Sequence, residues 1–161
     1  MMVRPAGLLR VLAVIVAAAL NAQPATAQLV RIGQLNDIAF GTLTTAGADR
    51  VLTDNLCVYT SSATGRYRVT ATGTSSGSTF MMTSGGNQLP IELQWAFSAN
   101  QTSGTPLLPS TAVAGTTGNT NNFTCNGQPS ASLIVILRAA QNGSARAGSY
   151  SGSVSIRIAP N

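Results

Sequence analysis

The chain contains no histidine and no lysine, and its 161 residues include only four acids: Asp37, Asp49, Asp54 and Glu92. With neither histidine nor lysine, no side chain can serve as the base of a Ser-His-Asp arrangement or its lysine variants. Glycoside hydrolysis by paired carboxylates would require two of four dispersed acids to meet in one cleft. Three of the four sit in turn-like segments, where aspartate caps and closes turns. The same reading competes with, and outweighs, a calcium site built from Asp37, Asp49 and Asp54. A zinc site lacks ligands once the two cysteines are paired. The expectation is a protein with no catalytic residue, no metal and no cofactor, that is, not an enzyme.

Long apolar runs are also absent. The longest is VLAVIVAAAL at residues 11–20, about half of the roughly 20 residues a membrane-crossing helix needs. Arg4 and Arg10 precede it without any acid, and Ala25-Thr26-Ala27 follows, a small-x-small cleavage pattern. Residues 1–27 therefore read as a secretory signal peptide cut between Ala27 and Gln28. An uncleaved anchor is disfavoured by the length of the run. Residues 28–161 are left as one domain of ordinary size, with no segment able to span a membrane.

Removing the signal leaves seven arginines against four acids. The high pI thus reflects scarce acids rather than abundant bases. The arginines stand at 31, 50, 66, 68, 138, 146 and 157, and only Arg66 and Arg68 are close enough to share a strand face. Without a clustered basic surface, no nucleic-acid partner is expected. Cysteine is limited to Cys57 and Cys125, which read as one disulfide in an oxidising compartment. Two buried free thiols are the alternative.

What is present is alternation. Leu89, Ile91, Leu93, Trp95 and Phe97 share one face of a strand, and Tyr67, Val69 and Ala71 share one face of another. Val154, Ile156 and Ile158 do so in the last. Val30 and Ile32 flank Arg31, and Ile38 and Phe40 flank Ala39. Residues 133–137, LIVIL, are apolar on both faces, so both must be covered, one of them by this chain or by something outside it. Short strands are read at 56–59 and 123–125, carrying the two cysteines. Residues 100–122 read as a long polar connection with a short strand near 112–114. No segment has a helical period. Seven or eight short strands separated by Gly, Ser, Thr and Asn clusters argue for an all-β antiparallel sandwich. Trp95 continues an apolar strand face, so core packing is favoured over stacking on a sugar.

The order of several short motifs resembles the spore coat protein U family, the domain of archaic chaperone–usher pilus subunits. These are Phe40-Gly41-Thr42-Leu43, Asp54-Asn55-Leu56-Cys57-Val58-Tyr59, residues 67–73 (YRVTATG), residues 85–93 (GGNQLPIEL) and residues 147–154 (AGSYSGSV). The resemblance implies an incomplete immunoglobulin-like sandwich lacking its final strand. It implies a periplasmic chaperone that fills the gap, an outer-membrane usher, and other pilus subunits whose N-terminal segments replace the chaperone. Transit through the periplasm would end at the cell surface, in a fimbrium serving adhesion and biofilm formation. The gap's rims are placed at Leu133, Val135 and Leu137 and at Val154, Ile156 and Ile158, with Val30 and Ile32 as a possible donor segment. That segment is short, and the family's usual early cysteine is missing from it. The alternative function is a secreted sandwich that binds a sugar or a surface, at a fibre tip or as a free coat protein.

Overall fold

In the computed structural model, residues 27–43 and 47–161 are described. Of the expected signal peptide, residues 1–27, all but Ala27 lies outside them. The described residues form ten strands: β1 Val30–Gly33, β2 Arg50–Thr60, β3 Arg66–Gly73, β4 Ser75–Ser76, β5 Thr79–Ser84, β6 Asn87–Ala96, β7 Thr105–Leu107, β8 Ala112–Thr117, β9 Ala131–Leu137 and β10 Val154–Pro160. A 3-10 turn, Cys125–Gly127, precedes β9, and a short helix α1, Ala139–Ser144, follows it.

The strands make two antiparallel sheets of unequal width. The larger runs β1-β2-β9-β6-β5-β4, with β7 added to β6; the smaller is β10-β3-β8. The alternation in the sequence fixes which side chains enter the space between them. Leu89, Ile91, Leu93 and Trp95 from β6 meet Tyr67, Val69 and Ala71 from β3, all buried. Trp95, fully buried, donates its indole N–H to Tyr67 Oη across the core at 3.2 Å. Their rings meet edge to face, and a second edge contact joins Tyr67 to Phe97. Burial pushes the Tyr67 phenol up to about 12.

The doubly apolar β9 is buried along its whole length. Leu133, Val135 and Leu137 enter the main core, while Ile134 and Ile136 join Ala96 in a second cluster on the opposite face. The cover on that face comes from the chain itself. Ser132 Oγ donates to Ser98 O (2.9 Å), Gln101 N donates to Ser132 Oγ (3.2 Å), and Asn100 N donates to Asn55 Oδ1 (2.7 Å). These bonds hold residues 98–101 against β2 and β9.

Three expectations are corrected. Residues 139–144 form a helical turn, held at its start from outside its own sequence: Asp49 Oδ1 accepts from Ala139 N. The second cysteine sits in a 3-10 turn rather than a strand, with Cys125 and Asn126 both at positive φ. The polar connection carries β7 in addition to the strand expected near 112–114, which is β8, and β4 and β5 are further strands not anticipated.

Cys57 and Cys125 are joined, with Cα atoms 5.8 Å apart, closing a span of 68 residues. The bond fastens the loop before β9 to β2. Backbone bonds continue the attachment, from Ser130 N to Leu56 O and from Asn119 N to Val58 O. Replacing both cysteines by serine is expected to lower stability by about 4 kcal/mol, the chain-entropy value for a loop of this size; urea unfolding of the exported protein measures it.

Arg138 binds Glu92 through two nitrogens (2.8 and 2.5 Å) and Asp49 through a third (2.7 Å). The Ala139 N–H and the Arg138 guanidinium hold the Asp49 carboxyl below its usual range, and the Arg138 bond does the same for Glu92. Both folded pKa values lie below the unfolded ones. Their contribution is therefore complete above the unfolded values of 3.8 and 4.5 and is lost as pH falls through the folded ones. Arg138→Gln should change stability little near neutrality, since the cluster is exposed. By the same small amount it should flatten the loss of stability on acidification below about pH 4, read as urea midpoints across a pH series.

Candidate strand-acceptor edge

The two sheets can be closed against each other along two sides, and they differ. On the side where β7 and β8 meet, the two sheets come together, with Val113 of β8 and Phe97 partly buried against the core. Leu107 of β7 is buried, and β8 approaches the end of β6 so closely that a Cβ on Gly115 would lie 2.6 Å from the Phe97 ring. On the opposite side stand β1 and β10, each at the edge of its sheet. Cα atoms of the two strands come within 8 Å, yet among the described residues no pairing joins them.

The register shows what this costs. Val30 and Ile32 of β1 lie opposite Thr60 and Val58 of β2, and both of the latter are fully buried. Ile156 and Ile158 of β10 lie opposite Ala71 and Val69 of β3, again fully buried. Directly opposed residues project to the same face. The core face thus continues outward from β2 and β3 onto β1 and β10, but burial is incomplete there: Val30, Ile32, Val154, Ile156 and Ile158 are all partly exposed. Ile38 and Phe40, in the irregular segment after β1, are likewise half-buried against the core. Asp54 pins that segment, accepting from Asn36 N at 2.7 Å and Asn36 Nδ2 at 2.9 Å.

The two sequence-derived rims occupy different places in the sheets. Val154, Ile156 and Ile158 lie on an open edge. Leu133, Val135 and Leu137 do not, because β9 is internal: β2 takes one of its edges and β6 the other. Their apolar character on both faces reflects a central strand covered by its own chain. Val30 and Ile32 are not held free as a donor segment; β1 is paired with β2, and the two residues form the opposite rim. Ala27 and Gln28 are exposed just before this strand. The cysteine pair stands as expected.

Chemically, the open side offers strand edge and apolar side chains and little else. Arg31 and Arg157 point away from the core, Arg31 lying 5.3 Å from the centre of the exposed Phe123 ring. Among the described residues no group of three or more His, Cys, Asp or Glu could hold a metal, and no helix is long and apolar enough to cross a membrane.

No protein-family model matches the chain, and no curated protein matches it in sequence. Among solved structures, it is similar to a chain of the chaperone–tip adhesin complex vital for synergistic activation of CFA/I fimbriae biogenesis. The similarity covers 82% of this chain with a TM-score of 0.54 at 16% identity. It spans 41% of that chain, so the match is one of fold over less than half of the larger protein.

Position in the fold sets the cost of truncation. Leu133→Ala, at a buried internal site, should cost about 2–5 kcal/mol. Ile158→Ala, on the half-exposed edge, should cost about half as much, because less of its surface leaves water. Paired urea unfolding curves test the ranking; equal costs would mean that the β10 edge is already covered.

Proposed function

We propose that residues 28–161, after removal of a signal peptide, are a non-enzymatic structural subunit of a surface pilus. In this reading the subunit is built into its fibre by strand addition along the β1–β10 side. The observation that carries it is the pair of sheet edges on that side: β1 and β10 stand close without pairing, and the apolar row they share is only partly buried. An added strand would pair with the free edge of β10 and cover the half-buried row Val30, Ile32, Val154, Ile156 and Ile158. Backbone bonds would hold it and alternate side chains would seat it.

The energy is of the right size. Full burial of one large apolar side chain is worth about 1.5–3 kcal/mol. Completing the burial of such a row, and adding the incoming strand's own side chains, amounts to several kcal/mol. That is comparable with the roughly 5–15 kcal/mol that holds a whole domain. The likeness in fold to the fimbrial complex, together with the motif order of the spore coat U family, supports this reading over a free sugar-binding sandwich. Trp95, the side chain best suited to stack on a sugar, is enclosed in the core. The partners in this reading are a periplasmic chaperone, an outer-membrane usher and neighbouring subunits, and the destination is the cell surface, where the fibre would serve adhesion and biofilm formation.

The test is thermal unfolding of residues 28–161 with and without a donor strand of alternating apolar residues, fused after Asn161 through a flexible linker. The lone domain should self-associate, and the fused form should be monomeric with Tm raised by about 10 °C or more, as several kcal/mol implies for a domain of this size. A lone domain that is already a stable monomer, with Tm unchanged by the fusion, would falsify the assembly mechanism.

A further inference from the structure

The outer face of the three-stranded sheet is basic and entirely without acid. Alternation along β3 turns Tyr67, Val69 and Ala71 inward and leaves Arg66, Arg68 and Thr72 exposed. Pairing then brings in a third arginine from far along the sequence. Arg157 of β10 lies opposite Thr70, and Ala159 lies opposite Arg68, so Arg157 and Arg68 are diagonal neighbours on one surface. On the other side of β3, Ala114 and Ala112 lie opposite Arg68 and Thr70 and rise little above the sheet.

None of the three arginines has an acidic partner. Both ion pairs among the described residues belong to Arg138, on the larger sheet. Arg68 donates only its Nε, to Pro160 O at 3.3 Å, while the side chains of Arg66 and Arg157 make no hydrogen bond. All four acids of the chain lie outside β3, β8 and β10, so this sheet carries no negative side chain. Arg68 and Arg157 thus stand side by side with Arg66 next along β3 on the same face, and none of the three is in an ion pair with an acidic side chain among the described residues.

We infer that this face binds an acidic polysaccharide, a chain of sugars bearing carboxylate or sulfate groups. Guanidinium forks match both anions bidentately. Between and beside the arginines stand the hydroxyls of Thr70, Thr72 and Ser155, which suit the hydroxyls of a sugar chain. The alternatives fit less well. The face has no aromatic side chain on which a nucleic-acid base could stack, and no projecting helix or ribbon to enter a duplex groove. It has no large apolar side chain to insert into a lipid surface. The inference concerns a single domain and does not rest on the strand-addition reading. If that reading is also correct, every subunit would repeat the face, and weak single contacts would add by multivalency.

The experiment measures binding of residues 28–161 to polygalacturonate and to heparin over a salt series, with a duplex DNA of equal charge as competitor. The triple variant Arg66→Ser/Arg68→Ser/Arg157→Ser should bind both polysaccharides at least tenfold more weakly, with a shallower salt dependence. The control Arg31→Ser/Arg50→Ser/Arg146→Ser removes the same charge from elsewhere and should bind like the parent. Circular dichroism confirms the fold of both, as all six side chains are exposed. Equal weakening in the two variants would show attraction by net charge alone and overturn the site. Displacement of polysaccharide by DNA at equal charge would reassign the face to a phosphate polymer and overturn the ligand. Both outcomes are read on the unassembled domain, so failure of the donor-strand experiment leaves them interpretable.

Discussion

A sheet of seven strands and a sheet of three share one core, and the narrower sheet cannot cover the wider one's inner face. The rest of the architecture answers that mismatch. On one side β7 and β8 close the gap, helped by a glycine that lets β8 settle against Phe97. On the other, among the described residues, β1 and β10 stand close without pairing, and the apolar row they carry is only partly buried. At the centre the problem vanishes: Tyr67 and Trp95 reach each other across the sheets, and their polar atoms satisfy one another where water has been excluded. The sandwich is therefore firm at its middle and unfinished at one margin.

Much of this was legible in the residues because alternation reports which face of a strand is buried. Trp95, Tyr67, Val69 and the β10 isoleucines were assigned correctly on that basis. Alternation says nothing about which strand lies beside which. Residues 133–137 read as a rim because two apolar faces suggest an external cover. The structure supplies that cover from residues 98–101, through side-chain bonds to Ser132 and Asn55 that no local pattern announces. Val30 and Ile32 carry the same alternation whether free or paired, so their engagement with β2 was equally hidden. The helix at 139–144 begins on Asp49, some ninety positions earlier, and a local reading could not find it. The meeting of Arg157 with Arg66 and Arg68 is a product of pairing alone, and in sequence the arginines look scattered.

Scarcity of acids shapes the surface as much as the core shapes the fold. Two carboxylates are taken by Arg138, and Asp54 is occupied by Asn36. Charge compensation is thus concentrated on the larger sheet and absent from the smaller. The two sheets differ in width, and they differ also in electrostatic character.

The disulfide has a mechanical meaning that its thermodynamic role conceals. β3 through β8 lie between Cys57 and Cys125, whereas β1 and β10 lie outside them. Tension applied between β1 and β10 would pass from β2 through the sulfur–sulfur bond to the loop before β9, bypassing six strands. The 68 residues so bridged could otherwise lengthen to roughly 230 Å when drawn out. With the bond intact that length is withheld, and a pulled subunit can lengthen only through the residues outside the bridge, which carry β1, most of β2, β9 and β10.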